Sequence, residues 1–162
     1  MAFYLYTDGA TSNNGYAGAR GGWAAALYED NSTKPVCSCS GGVKNPTNNR
    51  CEMAAVLEGL NMYFNWITHT EAEDSLPLTI ITDSAYIHNC YSQKWYVKWQ
   101  QNGWVNSKKE PVANKTLWEQ LIPYFNNPNF KFEKTKGHAD DARNNYVDKL
   151  TAAAKENKWL ES

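Results

Sequence analysis

The first third of the chain alternates between apolar runs and short polar turns. Apolar, β-branched and aromatic residues predict strands at residues 3–8, 23–28 and 36–43. Glycine, asparagine and aspartate residues between these runs predict tight turns. Three successive strands joined by short turns are typical of an antiparallel meander.

The pattern then changes to a helical period. One apolar face is made by residues three or four positions apart: Met53, Val56, Leu57, Leu60, Phe64 and Ile67. Thr47, Asn48 and Asn49 supply capping residues ahead of it. A second strand-forming run follows at residues 79–83. A right-handed crossover through the helix would make this strand parallel to the first.

The second half of the chain is predicted to be largely helical. Helices are expected at residues 84–91, 93–101, 116–124 and 143–156, with a strand at residues 130–135. The third of these helices is expected to stop near Pro123. The order β-β-β-α-β-α-α-α-β-α predicts an α/β fold in which helices cover a mixed sheet.

Composition and charge narrow the possibilities further. The 162 residues are expected to form one domain, residues 1–162. The net charge is only −1, so any bound polyanion must be held by a local basic patch. The four cysteines lack zinc-finger spacing, which favours reduced thiols over a zinc site. We find no secretory signal and no apolar stretch long enough to span a membrane, so a cytoplasmic protein without membrane contact is expected.

One short pattern occurs twice and carries the chemistry. Thr7-Asp8 follows the first apolar run, and Thr82-Asp83 follows the run before the middle of the chain. Neighbouring parallel strands would bring Asp8 and Asp83 to the same edge of the sheet. Two carboxylates this close repel each other unless a cation lies between them, which predicts a divalent metal site.

Two further carboxylates have settings that could bring them to the same edge. Glu52 lies in the first turn or so of the first helix, and Asp148 lies in the last helix. With these four residues in place, the sequence resembles the type 1 ribonucleases H over nearly its whole length. The matching segments, in order, are Thr7-Asp8-Gly9, Thr47-Asn48-Asn49-Arg50-Cys51-Glu52-Met53, Thr82-Asp83-Ser84-Ala85-Tyr86, Lys136-Gly137-His138-Ala139 and Asp148. The ordered set is specific, although no single motif is.

The resemblance implies a ribonuclease H-like fold, with a five-stranded mixed sheet of three antiparallel and two parallel strands. It implies an endonuclease that cuts the RNA strand of RNA/DNA hybrids and leaves 3′-hydroxyl and 5′-phosphate ends. Asp8, Glu52, Asp83 and Asp148 would hold two Mg²⁺ ions, with Mn²⁺ as a substitute. His138 would transfer protons and assist product release. A monomer is expected.

The resemblance also assigns residues to the hybrid. The expected contacts are Gly9, Asn14, Thr47, Asn48, Asn49, Trp95, Lys98, Trp99 and Asn144. From the residues alone, Thr47 and Asn48 serve equally well as helix caps, and Asp140 and Asp141 compete with Asp148 as metal ligands. Residues 90–119 would form a substrate handle with five lysines against two glutamates. Gln100-Gln101-Asn102 replaces a basic cluster there, which predicts a shallow salt dependence of binding.

Two other functions compete with this interpretation. A DNA-cleaving nuclease of the same fold superfamily would share the acidic residues, but the Asn48-to-Glu52 segment and the handle argue against it. A catalytically silent nucleic-acid-binding domain would be expected to lack at least one carboxylate, and all four are present. Cleavage assays on hybrid and duplex substrates separate these classes.

Overall fold

A five-stranded sheet forms the centre of the molecule, with helices on both faces. The computed structural model describes residues 2–12, 20–69, 77–135 and 141–161, the last six as backbone only. In chain order, the elements are β1 (Phe3–Ser12), β2 (Arg20–Glu29), β3 (Cys37–Val43), α1 (Asn48–Thr68), β4 (Leu78–Thr82), α2 (Ala85–Gln93), α3 (Trp95–Asn102), α4 (Lys115–Phe125), β5 (Phe130–Lys134) and α5 (Ala142–Glu161). The predicted order of strands and helices is confirmed.

The sheet is mixed, as predicted. Its strand order is β3-β2-β1-β4-β5, with β1 in the centre. β1 pairs with β2 and β2 with β3 in antiparallel orientation, whereas β4 lies parallel to β1 and β5 parallel to β4. The long connection through α1 allows β4 to return parallel to β1.

Alternation along β1 divides the core into two layers. Phe3 and Leu5 face the layer that contains α1, α2 and α4, where Met53 and Trp118 are fully buried. The other face of the sheet carries a smaller apolar cluster, to which α5 contributes Val147. Successive side chains of a strand point to opposite faces of the sheet. The side chain of Asp8 therefore points to the same face as those of Tyr4 and Tyr6, which is the face that α5 covers.

Several element ends differ from the prediction by one to five residues, among them the ends of β1, α4 and α5. β1 continues to Ser12 instead of ending at Asp8, because β2 pairs with it over its full length. α4 passes through Pro123 to Phe125; the proline is exposed, so water can satisfy the carbonyl that loses its helical partner. α5 runs to Glu161, five residues beyond its predicted end.

Within the described ranges, we find no helix with both the length and the apolar character needed to cross a membrane.

Candidate metal centre at the sheet edge

Strands β1 and β4 bring the two Thr-Asp segments together. β1 pairs with β4 as far as Tyr6 and Ile81, and the Thr7 hydroxyl then donates a hydrogen bond of 3.0 Å to the carbonyl oxygen of Ile81. Asp8 follows on β1 and is only 5% exposed, whereas Asp83 follows the end of β4 and is exposed. The two aspartates therefore lie beyond the last paired residues of these strands.

Gly9 brings the start of α1 against β1. A Cβ atom at Gly9 would lie 2.5 Å from the backbone nitrogen of Glu52 and even closer to the carbonyl group of Cys51. Only glycine fits this close approach of two backbones. Gly9 was predicted as a substrate contact; the structure also gives it the role of admitting Glu52 to the site.

Asp8, Glu52 and Asp83 form one cluster of carboxylates. One carboxylate oxygen from each lies within 4.8 Å of the others. Among the described residues, the Oε1 atom of Glu52 is buried and has no hydrogen-bond partner. A buried acceptor of this kind is costly unless something satisfies it. The oxygen donors and the unsatisfied atom fit a hard divalent cation.

The protonation of this cluster reflects burial and mutual repulsion. Burial is the largest influence on Glu52, and with the neighbouring Asp83 it raises the pKa of the Glu52 carboxyl to about 11. Burial likewise raises the pKa of Asp8 well above its usual range, helped by contact with the Asp148 carboxyl and by the charge of Asp83. The cluster without a cation therefore retains protons at neutral pH.

Asp148 joins the cluster at its margin. Its carboxyl contacts that of Asp8, although Asp148 is exposed and is not among the three residues with mutually close oxygens. Asp141, which competed with it in the sequence, instead accepts a hydrogen bond of 3.1 Å from the backbone N–H of Asn144. This bond caps the start of α5. His138, Asp140 and Asn14 lie outside the described residues.

Comparisons with known proteins identify the family. A family model described as RNase H matches residues 1–156. The chain belongs to the RNase H family. A ribonuclease H of Caldicellulosiruptor saccharolyticus is 40% identical over 146 residues, which are 90% of each chain. A ribonuclease H of Symbiobacterium thermophilum is 38% identical over 150 residues, which are 93% of this chain and 92% of the relative. The predicted family and enzyme class, ribonuclease H, are confirmed.

Solved structures confirm the predicted RNase H fold. The solution structure of the PFV RNase H domain has a TM-score of 0.73 at 22% identity, with 96% of this chain and 94% of that chain covered. LC11-RNase H1, solved in complex with an RNA/DNA hybrid, has a TM-score of 0.67 at 18% identity, with 97% and 99% covered.

Two of the predicted hybrid contacts have structural partners at the start of α1 in this RNase H chain. The Thr47 hydroxyl accepts a hydrogen bond of 3.1 Å from the Arg50 N–H, so Thr47 is the N-cap of α1. The side-chain oxygen of Asn48 accepts a hydrogen bond of 3.2 Å from the Thr11 N–H on β1. Asn49 is half-buried in the same turn. Thr47 therefore caps α1, and Asn48 links the start of α1 to β1, four residues before Glu52.

The tryptophans of the predicted handle divide into core and groove residues. Trp118 is fully buried, and its indole N–H donates to the Tyr86 hydroxyl at 3.2 Å. Trp95 and Trp99 are half-buried and contact each other with ring centroids 6.1 Å apart. They line a groove with exposed Lys98. The other lining residues are Asn102, Val105, Asn106, Ser107 and Lys109. The groove has the aromatic and cationic lining expected of a nucleic-acid contact.

Sequence reasoning missed the role of Arg143 in this RNase H chain. Its Nη2 atom lies 3.1 Å from the carbonyl oxygens of Glu29 and Asp30 and 2.6 Å from that of Ser32. Its guanidinium carbon is 4.5 Å from the ring centroid of Tyr28 and within 6 Å of two further tyrosine rings on β1. Arg143 thus fastens the first turn of α5 to the β2–β3 turn. The contacts link residues more than 100 positions apart, so no local sequence signal points to them.

Proposed function

We propose that this protein hydrolyses the RNA strand of RNA/DNA hybrids and leaves 3′-hydroxyl and 5′-phosphate ends. The observation that carries the proposal is the convergence of Asp8, Glu52 and Asp83, with Glu52 Oε1 unsatisfied, in a chain of the RNase H family. Curated relatives named ribonuclease H and a neighbour of the same fold solved with an RNA/DNA hybrid support this substrate.

We assign two divalent ions, Mg²⁺ or Mn²⁺, to Asp8, Glu52, Asp83 and Asp148. Bound ions would activate water and neutralise charge at the scissile phosphate. Asp8 and Glu52 are buried, so β1 and α1 fix their carboxylates, whereas exposed Asp83 faces solvent from which a phosphate can approach. The raised pKa values of Asp8 and Glu52 mean that ion binding has to displace protons.

The remaining predicted residues are assigned to the hybrid. The groove beside Trp95 and Trp99 would contact the backbone of one strand, with Lys98 near a phosphate. Asn49 and Asn144 are half-buried and are assigned to sugar and phosphate contacts without base specificity. His138, whose intrinsic pKa is close to neutral, is assigned to proton transfer at the leaving group.

A cleavage assay with three substrates tests the reaction. An RNA/DNA hybrid, a duplex RNA and a duplex DNA of matched sequence are each labelled at one 5′ end, on the RNA strand for the hybrid, and are incubated with the protein separately. We expect cleavage of the hybrid with Mg²⁺, none with EDTA, and fragments that a polymerase can extend from a 3′-hydroxyl. Preferential cleavage of duplex DNA would overturn the proposal.

A pair of substitutions on one helix tests the site. Glu52→Gln removes a charged ligand with little change in shape, and we expect the cleavage rate to fall by at least about 100-fold. Glu58→Gln, on an exposed position of the same helix, is the matched control and should leave the rate unchanged. Equal activity of the two variants would remove Glu52 from the site.

A further inference from the structure

Thr151 is a buried polar residue at the contact between α5 and β1. It is 1% exposed and lies three residues after Asp148. Its hydroxyl oxygen is 2.8 Å from the carbonyl oxygen of Val147 and 3.3 Å from the carbonyl oxygen of Asp8. One side chain therefore touches both the helix that carries Asp148 and the backbone of Asp8 itself.

The hydroxyl of Thr151 has one proton and more than one acceptor. The Val147 carbonyl also has a backbone partner within the helix, since it lies four residues before Thr151. The Asp8 carbonyl oxygen is the second acceptor, at 3.3 Å, so the hydroxyl joins α5 to the backbone of the residue that carries the carboxylate.

A second contact holds α5 at this distance from the sheet. A Cβ atom at Gly22 of β2 would lie 3.0 Å from the Thr151 carbonyl oxygen and 2.7 Å from the Lys155 nitrogen. Backbone therefore meets backbone beside Thr151, as it does between Gly9 and α1. Because α5 lies this close to the sheet, the short side chain of Thr151 can reach the backbone of β1.

We propose that Thr151 is a positioning residue that holds the carboxylates of Asp8 and Asp148 in the arrangement that binds divalent metal. This inference rests on the proposed function, since it concerns the same site. Thr151 does not touch substrate; it acts by orienting Asp8 and by fixing the helix turn that carries Asp148.

Three variants test the proposal. Thr151→Val keeps the branched shape and removes the hydroxyl, whereas Thr151→Ser restores a hydroxyl. Thr68→Val is the matched control, because the Thr68 hydroxyl donates to the Asn65 carbonyl at 2.9 Å within α1 and is exposed. Mn²⁺ binding to the free protein is measured by isothermal titration calorimetry, and hybrid cleavage is measured over a range of metal concentrations.

We expect Thr151→Val to bind Mn²⁺ about 10-fold more weakly and to need correspondingly more metal for half-maximal cleavage, with an unchanged KM for hybrid. Thr151→Ser and Thr68→Val should match the parent protein. Wild-type Mn²⁺ affinity in Thr151→Val would overturn the proposal, and so would an equal loss in Thr151→Ser, since packing would then be the cause. If Thr151→Val does not fold, Thr151→Ala replaces it with the same expectation.

The two readouts separate this inference from the proposed function. If the parent protein cleaves hybrid and Thr151→Val binds metal normally, the role of Thr151 is wrong and the function stands. If the parent protein cleaves no hybrid but Thr151→Val binds Mn²⁺ more weakly, the function is wrong and the role of Thr151 stands.

Discussion

Asp8 and Glu52 are acidic residues that are buried in the folded protein, where the ionised form of a carboxyl is unfavourable. Glycine at position 9 permits this by letting two backbones meet, and the cost appears as raised pKa values. The sequence indicated which carboxylates meet, because the two Thr-Asp segments lie on strands predicted to be parallel and Glu52 lies near the predicted start of α1. It did not indicate that two of them would be buried, since burial depends on how closely α1 approaches β1.

The raised pKa values predict how the stability of the metal-free protein depends on pH. Both carboxyls keep their protons in the folded state at pH values where the unfolded chain, with pKa values of about 4, has lost them. The contribution of these two carboxyls to the free energy of unfolding should therefore be greatest below about pH 4. It should fall as the pH rises from about 4 through neutral. Urea unfolding between pH 5 and about 9 in EDTA measures this.

Two controls isolate the contribution of the cluster. Asp8→Asn removes one titrating group, so its stability should fall less with pH and should equal or exceed that of the parent protein in metal-free buffer at neutral pH. Saturating Mg²⁺ should restore the parent protein at high pH, because binding stabilises the ionised form. A parent protein whose stability does not differ from that of Asp8→Asn at any pH would contradict the burial described for Asp8.

At the scale of elements, α5 is fixed to the sheet at two points. Arg143 holds its first turn, and the contact of Thr151 and Gly22 holds its middle. The existence of α5 followed from the spacing of Val147, Leu150 and its other apolar residues. Its attachment could not be predicted, because hydrogen bonds to carbonyl groups of a distant turn leave no pattern in the sequence.

Replacement of Arg143 should loosen this attachment. Arg143→Ala loses charge-assisted hydrogen bonds and ring contacts, and we expect a loss of about 2–3 kcal/mol in the free energy of unfolding. Arg143→Lys should recover only part, because an ammonium cannot reproduce the planar contacts of a guanidinium. Urea unfolding measures both, with Lys149→Ala on the exposed side of α5 as control. Full recovery by lysine would show that charge alone matters.

At the scale of the molecule, the strand order determines where the site forms. β1 is central, β4 lies beside it, α1 packs on one face and α5 on the other, so carboxylates from four distant positions meet at one edge. This arrangement was predictable from the order of elements and the right-handed crossover. The sequence showed that tryptophans and lysines occur in the groove at Trp95 and Trp99, but it did not show the shape of the groove. The packing of α3 and α4 decides which tryptophan is buried. A monomeric state and a cytoplasmic location stay predictions from the sequence.

The groove predicts a modest electrostatic contribution to hybrid binding. Lys98→Ala should weaken binding and reduce the slope of log affinity against log salt by about 1, as expected for one phosphate contact. Fluorescence anisotropy with labelled hybrid in EDTA measures the slope. Lys131→Ala, exposed on β5 at the opposite end from the carboxylates, is the control. An equal effect of both substitutions would indicate only a general charge effect.

The early divergence of β1 and β4 has a consequence for ion tolerance. Their ladder stops at Tyr6 and Ile81, and the Thr7 hydroxyl supplies the last link before Asp8 and Asp83. Beyond that link, no residue pair of the β1–β4 ladder fixes the distance between Asp8 and Asp83. Under the proposed function, the site would therefore accept the somewhat larger Mn²⁺ as well as Mg²⁺.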